Sequence, residues 1–281
     1  MSFLHLPRFL STVRLLAFSV LLIGAVAQEA NAQLLISPLR VTFEGRDRSA
    51  TVIVTNQSDE AATYRLEWQE KRATPDGQYV DVAEPTPEMP ISSRYIRFSP
   101  RQVTLGPGEQ QQVRLALRRP ADLPPGEYRS HLAFMVIDER QRRAARQSSA
   151  GGAAIQVFMN LGFAIPIIVR HGNGRPGVSL AGAELNVDEL NRLGLKVQLK
   201  QEGSFSTYGR LRVYWRQNQN AQETEIGLLQ NVAVYPDVDS RVATVLLNQQ
   251  QLPPGILRIA FLGADEYAGR TWIDQSFQIG N

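Results

Sequence analysis

The sequence predicts an all-β protein built of two β-sandwich domains in tandem. After residue 33, the apolar segments are short, rich in β-branched or alternating residues, and bounded by Gly, Pro, Asn or Asp. A length of 281 residues, with 43% hydrophobic and 20% charged residues, suits a globular chain of one large domain or two ordinary ones. The tetrapeptide Leu-Pro-Pro-Gly occurs at 123–126 and again at 252–255, each time as the turn before a late strand. This recurrence favours two copies of one architecture.

The predicted strands form two sets. The first set covers residues 35–43, 51–55, 64–70, 96–98, 102–105, 111–117, 128–137 and 155–170. The second covers residues 177–185, 193–201, 209–217, 225–234, 240–247, 256–262 and 271–279. The helix-like stretch at 187–193 is too short to change the fold class. Residues 171–177 are punctuated by Gly and Pro, so the predicted domains are 33–171 and 177–281.

The first 32 residues have the pattern of a cleaved signal peptide. Arg8 and Arg14 precede an apolar run at 15–27, and Ala30-Asn31-Ala32 supplies a small-x-small cleavage site. The alternative is an uncleaved N-terminal anchor, although the run is short for a membrane span and no other segment is long enough. Because the chain contains no cysteine, we expect export to a bacterial periplasm rather than to a disulfide-forming secretory route.

Composition argues against several classes of function. The chain has no cysteine and three histidines, so neither a metal site nor a cysteine nucleophile is expected. No nucleophile elbow, phosphate loop or metal-ligand spacing occurs, so we expect no enzyme activity, no catalytic residues and no cofactor. The formal charge is only +3, and the densest basic stretch, at 140–146, has no interleaved aromatic residues. We therefore expect no nucleic-acid partner.

One segment is too long for an ordinary sandwich strand. From residue 155 to 169, every odd position is apolar and would lie on one face of a strand, since strand side chains alternate between faces. The eight positions are Ile155, Val157, Met159, Leu161, Phe163, Ile165, Ile167 and Val169. Such a strand reaches about 50 Å, roughly three times the usual length. It is either buried by both domains in turn or offered to a partner; Pro166 favours an edge position.

Three segments carry a family resemblance. Residues 37–45 read Ser-Pro-Leu-Arg-Val-Thr-Phe-Glu-Gly, residues 105–115 form a proline-glycine turn followed by a strand, and residues 165–170 end the long strand. Together they resemble the periplasmic chaperones of the chaperone–usher pilus pathway, in a divergent, archaic-like branch. The resemblance implies two immunoglobulin-like β-sandwich domains set at an angle.

The resemblance also implies a role for the long strand. In that family, the chaperone lends this strand to a pilus subunit whose own sandwich lacks one, a mode of binding called donor-strand complementation. The implied donor residues are Ile155, Val157, Met159 and Leu161, with Phe163 continuing the stripe. The implied partners are pilus or fimbrial subunits and an outer-membrane usher.

A second implied contact is an arginine anchor for the terminal carboxylate of the subunit. Arg40 matches the family position, and a guanidinium suits a carboxylate because it can bind it at two points. A purely structural role, in which Arg40 is exposed or pairs with Glu44, is the alternative. In the family, a lysine near the end of the long strand binds the same carboxylate together with the arginine. Pro166 stands at that position here, so either Arg129 or Arg114 takes the place of the lysine or Arg40 acts alone.

The rival hypothesis is an exported all-β structural or adhesive surface protein, such as a pilin, with no chaperone role. A pilin should carry its alternating segment near the mature N-terminus, whereas here the stripe lies in the middle of the chain. The position of the stripe therefore favours a chaperone that donates the strand over a pilin that receives one. His131, on the strand before the stripe, is interpreted as a packed residue rather than a catalyst.

Overall fold

A computed structural model describes residues 34–137 and 162–280 of the chain. Short strands dominate it, because apolar and polar residues alternate along most of the sequence. The first eleven are β1 (Leu34–Ser37), β2 (Val41–Phe43), β3 (Ser49–Asn56), β4 (Ala62–Gln69), β5 (Lys71–Ala73), β6 (Tyr79–Asp81), β7 (Ile96–Ser99), β8 (Gln102–Leu105), β9 (Gln110–Leu117), β10 (Gly126–Val136) and β11 (Gly162–His171).

Nine of these strands form the first sandwich. One sheet has the order β1-β3-β9-β7 and the other β2-β11-β10-β4-β8. The single strand predicted at 35–43 is in fact two, because the chain leaves the first sheet at Pro38 and enters the second at Val41. β1 pairs antiparallel with β3, whereas β2 pairs in parallel with β11. The prediction of one strand was wrong because the alternation of apolar residues continues across the break, so the sequence pattern does not show where β1 ends.

This topology is that of an immunoglobulin-like sandwich, in which the first strand is shared between the two sheets. A tyrosine corner supports the assignment: the Tyr128 hydroxyl donates a hydrogen bond to the Pro124 carbonyl, four residues upstream, at 2.8 Å. The core contains the fully buried side chains of Phe43, Tyr64 and Phe134. Each buried side chain of this size contributes about 1.5–3 kcal/mol through loss of water-exposed apolar surface.

The second sandwich contains the last seven strands. They are β12 (Val178–Val187), β13 (Leu193–Gln201), β14 (Thr207–Arg216), β15 (Thr224–Val234), β16 (Ser240–Leu246), β17 (Gly255–Gly263) and β18 (Thr271–Ile279). The sheets have the orders β12-β13-β16 and β15-β14-β17-β18. The repeated Leu-Pro-Pro-Gly turns lead into β10 and β17, and both of these strands lie between two antiparallel neighbours within their sheets. The all-β tandem sandwich predicted from sequence is confirmed.

Two local predictions need correction. Residues 188–192 form a turn rather than a helix, since the Asp188 carboxylate accepts the backbone N–H groups of Leu190 and Arg192 at 3.0 and 2.8 Å. The hairpin of β5 and β6 was not predicted, because neither strand has an apolar alternation.

No helix in residues 34–137 or 162–280 is long and apolar enough to cross a membrane. The predicted signal peptide, residues 1–32, lies outside the described residues. So do four of the five predicted donor residues: Ile155, Val157, Met159 and Leu161.

Candidate functional site

The candidate site is the cleft where the second sandwich packs against strands β2, β10 and β11 of the first. Because side chains alternate along β11, Ile165, Ile167 and Val169 enter the first core while Ile168 and Arg170 face the cleft. Ile168 is fully buried there in an apolar cluster with three tyrosines and an alanine of the second sandwich, namely Tyr208, Ala233, Tyr235 and Tyr267. The cleft is therefore a packed interface with an apolar centre.

Arg40 lies just before β2 and is buried in this cleft, with 5% of its surface exposed. Its Nε donates a hydrogen bond to Glu266 Oε1 at 3.1 Å, and its Nη2 donates one to Ser206 Oγ at 2.8 Å. Its Nη1 donates to the Tyr235 hydroxyl at 3.3 Å, and its guanidinium lies 4.9 Å from the centre of the Tyr208 ring. Arg40 thus binds the first sandwich to the second.

Arg170 is the second buried arginine of the cleft. Its Nε donates to Glu127 Oε2 at 2.9 Å, and its Nη1 forms an ion pair with Glu44. Its Nη2 donates to the carbonyl and hydroxyl oxygens of Ser206 at 3.0 and 3.2 Å. The Ser206 hydroxyl therefore accepts hydrogen bonds from Arg40 and Arg170 together.

Glu127 completes this network. Both the backbone N–H and the hydroxyl of Ser206 donate to Glu127 Oε2 at 2.9 Å. One carboxylate oxygen of the first sandwich thus accepts three hydrogen bonds, one from Arg170 and two from the second sandwich. Charge-assisted hydrogen bonds of this kind are about twice as strong as neutral ones.

A second cluster is centred on Arg129. Its guanidinium binds the Asp237 carboxylate at two points, 3.2 and 2.7 Å, and lies 3.7 Å from the centre of the Tyr235 ring. The β5–β6 hairpin joins this cluster. The Ala73 N–H donates to Asp237 Oδ2 at 2.9 Å, and the Tyr79 hydroxyl donates to the Tyr235 hydroxyl at 3.3 Å. The hairpin therefore spans from the first sandwich to the second.

The electrostatics keep the arginines charged. Burial alone would lower the pKa of Arg40, but Tyr235 and Glu266 outweigh it and the pKa lies above its ordinary value. Burial likewise opposes the charge of Arg170, while Glu127 and Tyr267 raise its pKa overall. The cleft thus holds permanent cations, each neutralised by carboxylates of the same chain.

His131 is also buried here, at 3% exposure, with the Tyr79 ring edge-on at 4.9 Å. Neither of its ring nitrogens has a hydrogen-bond partner. Burial, together with the smaller effect of the nearby charges of Arg129 and Lys71, lowers the pKa of His131 to about 3. Its position is that of a neutral packing residue, as the sequence suggested.

The residues named from sequence fall in different places. Arg40 and Arg129 lie in the cleft, whereas Arg114 is exposed on β9, in the other sheet. Pro166, at the position of the family lysine, lies opposite His131 in the ladder of β10 and β11. The pairing of Arg40 with Glu44, considered above as a structural alternative, does not form, since Glu44 pairs with Arg170.

Several cleft residues were missed from sequence: Arg170, Ser206, Asp237 and Glu266. Arg170 could have been found by strand parity, since it alternates with the core residues Ile167 and Val169 and so must face away from the core. Nothing in the sequence marks the other three, because their role depends on how the sandwiches pack.

A separate feature is the open edge at the start of β11. β10 pairs with β11 along its whole length, but β2 pairs with it only at residues 167–169. On the side away from β10, residues 162–166 have no strand partner within the described part of the chain. Phe163 shares the face of the buried Ile165 but is 42% exposed. The apolar stripe therefore emerges from the first core at Phe163.

Comparisons with solved structures give matches at low identity. The chain is similar to the CupB2 chaperone of Pseudomonas aeruginosa, at 13% identity with a TM-score of 0.43, covering 88% of this chain and 100% of that one. It is similar to a chain of the CsuC–CsuE chaperone–tip adhesion subunit complex of archaic Csu pili from Acinetobacter baumannii, at 12% identity, 88% and 98% coverage and a TM-score of 0.41.

A third similar structure is the class 5 fimbriae chaperone CfaA, at 14% identity, 86% and 98% coverage and a TM-score of 0.42. At such identities and TM-scores, these likenesses do not by themselves assign a function. No protein-family model matches the chain, and no curated protein matches it either.

Proposed function

We propose that the protein is a periplasmic chaperone of pilus or fimbrial subunits, which it stabilises by donor-strand complementation and delivers to an outer-membrane usher. The strand it lends is the N-terminal continuation of β11. The donor residues are Ile155, Val157, Met159, Leu161 and Phe163.

The observation that carries the proposal is the open edge of β11. An apolar strand edge without a partner invites pairing with another chain, and natural proteins normally protect such edges. Here the edge begins where the exposed Phe163 leaves the core, and the sequence continues the same apolar alternation back to Ile155. A subunit that lacks one strand could pair its backbone along this edge and place its pockets over the alternating side chains.

Arg40 is the second proposed contact, as an anchor for the terminal carboxylate of the subunit. Its guanidinium stays charged, and the planar arrangement of its N–H groups can bind a carboxylate at two points. In the free chain, Glu266 already accepts the hydrogen bond from Arg40 Nε. The proposal therefore requires the carboxylate of the subunit to replace Glu266, which lies at the cleft surface with 18% of its side chain exposed.

The test is co-expression of the mature chain with a pilus subunit encoded beside it, followed by co-purification. Phe163→Glu and Leu161→Glu should each lower the yield of complex about ten-fold or more, because a charge replaces an apolar side chain in a subunit pocket. Leu228→Glu is the matched control, since Leu228 is 40% exposed on β15 of the second sandwich and should leave the yield unchanged.

Two results would overturn the proposal. One is recovery of a stable subunit in the absence of this protein. The other is an unchanged complex with both edge variants, when circular dichroism shows that they are folded. A surface structural protein would instead assemble with further copies of itself, which size-exclusion chromatography of the purified chain detects.

A further inference from the structure

The last strand, β18, lies at the end of its sheet. Within residues 34–137 and 162–280, only β17 pairs with it. The corresponding strand of the first sandwich is β11, because each of the two follows the strand that a Leu-Pro-Pro-Gly turn introduces. There, β2 pairs with the outer edge of β11 at residues 167–169. In the described part of the second sandwich no strand does the same, so the outer edge of β18 stays unpaired along its length.

Side chains at this margin point to the core side of their sheets and are nevertheless exposed. Phe277 of β18 lies opposite Leu257, a core residue, and so points to the same face, yet it is 39% exposed. On β12, the neighbouring edge strand of the facing sheet, Leu185 lies opposite the buried Leu195 and is 45% exposed. The second sandwich is therefore open along this margin and leaves apolar side chains uncovered.

β18 also lacks the features by which natural proteins protect an edge strand, such as bulges, prolines and lysines. Residues 273–279 pair with β17 in an unbroken register and contain no lysine, arginine, proline or glycine. The one charge in this run is that of Asp274, which Arg258 of β17 neutralises at 3.2 Å. On β12, by contrast, the register shifts between Leu180 and Gly182. The edge of β18 is thus suited to pairing with another strand.

The sequence of this edge is complementary to itself. Two copies of residues 273–279 can lie antiparallel about a two-fold axis at Ser276, with core-side residues opposite core-side residues. The apolar isoleucines then meet, an amide that can donate meets the carboxylate, and no like charges face each other. The opposite pairs are Ile273 with Ile279, Asp274 with Gln278, Gln275 with Phe277, and Ser276 with its own copy.

We propose that β18 pairs antiparallel with β18 of a second copy of this chain, with Ser276 at the two-fold axis. The sheets that contain β18 then join into one continuous sheet, and the partner strand lies beside the exposed Phe277. Because each copy has a single β18, the pairing ends at two copies, unlike the continuing assembly of a surface structural protein. The contact uses neither β11 nor the arginines of the cleft, so it does not depend on the proposed function.

Cysteine cross-linking tests the register, since the chain has no cysteine of its own. Ser276→Cys places two thiols opposite each other at the axis, with Cα atoms about 5 Å apart, a separation that a disulfide spans. Gln278→Cys is the matched control, because it is exposed on the same face of β18 but its two copies would lie about 13 Å apart. Under mild oxidation, Ser276→Cys should form a covalent dimer at least about ten-fold faster than Gln278→Cys. Equal rates would overturn the proposal.

Analytical ultracentrifugation of the mature chain tests the pairing without a cross-link. The contact is small, so we expect a dimer with a dissociation constant of about 1–100 μM. Ser276→Lys should raise this constant at least about ten-fold, because two like charges would face each other at the axis. Ser276→Thr is the control and should leave it unchanged, since threonine suits a strand.

Phe163→Glu separates this contact from the open edge of β11, and we expect it to leave the dimer intact. Circular dichroism checks that every variant is folded. A chain that remains monomeric at about 1 mM, or an unchanged dimer in Ser276→Lys, would overturn the proposal. Loss of the dimer in Phe163→Glu would also overturn it, because self-association would then belong to β11.

Discussion

Arg129 and Asp237 form a two-point ion pair across the boundary between the sandwiches, although 108 positions separate them in the sequence. Asp237 also accepts the Ala73 N–H from the β5–β6 hairpin. One carboxylate thus fixes three parts of the chain at once: a central strand of the first sandwich, the hairpin and a loop of the second.

This pair predicts a measurable loss of stability. Asp237→Asn should lower the free energy of unfolding by about 1–3 kcal/mol, because the nearly buried Arg129 loses its counter-ion. Denaturant titration followed by tryptophan fluorescence measures the change. Glu184→Gln is the control, since Glu184 is 72% exposed and 3.7 Å from Lys196, and its loss should change stability by less than about 1 kcal/mol. Equal effects of the two substitutions would refute the role given to Asp237.

Ser206 predicts a second effect. Ser206→Ala removes the hydroxyl that accepts hydrogen bonds from Arg40 and Arg170 and donates one to Glu127. The fully buried position excludes water as a substitute, so we expect a loss of about 1–3 kcal/mol.

The matched control is Ser179→Ala. The Ser179 hydroxyl makes one exposed hydrogen bond, to Glu202 at 2.8 Å, which water can replace. Thermal unfolding should therefore show a clear decrease in Tm for Ser206→Ala and little change for Ser179→Ala. The same Tm for both would mean that the shared hydroxyl contributes nothing.

His131 predicts a pH dependence of stability. The unfolded chain binds a proton at this residue below about pH 6.5, whereas the folded chain, with the pKa of His131 lowered by burial to about 3, does not. Between these values the unfolded state binds more protons, so stability should fall as the pH is lowered, by at most ~1.4 kcal/mol per pH unit.

His131→Phe should flatten this dependence while retaining the packing against Tyr79, because neither nitrogen of His131 makes a hydrogen bond. His171→Phe controls for the loss of a histidine as such. The test is to measure the free energy of unfolding between pH 4 and pH 7 for each protein. If it falls as steeply with decreasing pH in His131→Phe as in the original protein, the pH dependence belongs to other groups.

Gly77, at the tip of the β5–β6 hairpin, predicts a fourth effect. Its φ of +82° disfavours any side chain, and a Cβ there would lie 2.7 Å from the Arg241 guanidinium of the second sandwich. Gly45 has a φ of +51° but open space around it, so Gly45→Ala tests only the cost of placing a side chain on a residue with positive φ. We expect Gly45→Ala to lower the free energy of unfolding by about 1–2 kcal/mol. Gly77→Ala should lower it somewhat more, because the Arg241 guanidinium must move aside and its hydrogen bond to the Ala233 carbonyl is disturbed. Denaturant titration measures both losses. A smaller loss of stability for Gly77→Ala than for Gly45→Ala would show that the hairpin does not pack closely against the second sandwich.

Strands with clear alternation were predicted closely. The bounds of β8, β13 and β18 agree with the sequence prediction, because alternating residues end at turn-forming ones. The hairpin strands β5 and β6 escaped prediction because distant contacts hold them in place. Besides Ala73, the carbonyl of Pro75 accepts the N–H of Val242 at 2.6 Å. No local pattern encodes a contact with the other sandwich.

The candidate site was predictable only in part. The motif around residue 40 singled out Arg40, and the chain places it in the cleft. Its engagement by Glu266 and Ser206 could not be foreseen, since both residues approach it only after the sandwiches pack. The apolar stripe was visible in the sequence, but the point where it leaves the core, at Phe163, required the register of β10 and β11.

The position of Glu127 also bears on how the chain folds. Its side chain belongs to the first sandwich, yet two of the three hydrogen bonds to its Oε2 come from Ser206 of the second. If the second sandwich unfolded alone, Glu127, Arg40 and Arg170 would each lose partners at once. The two halves should therefore melt together in a single cooperative transition, and a fragment that ends at His171 should be markedly less stable than the full chain.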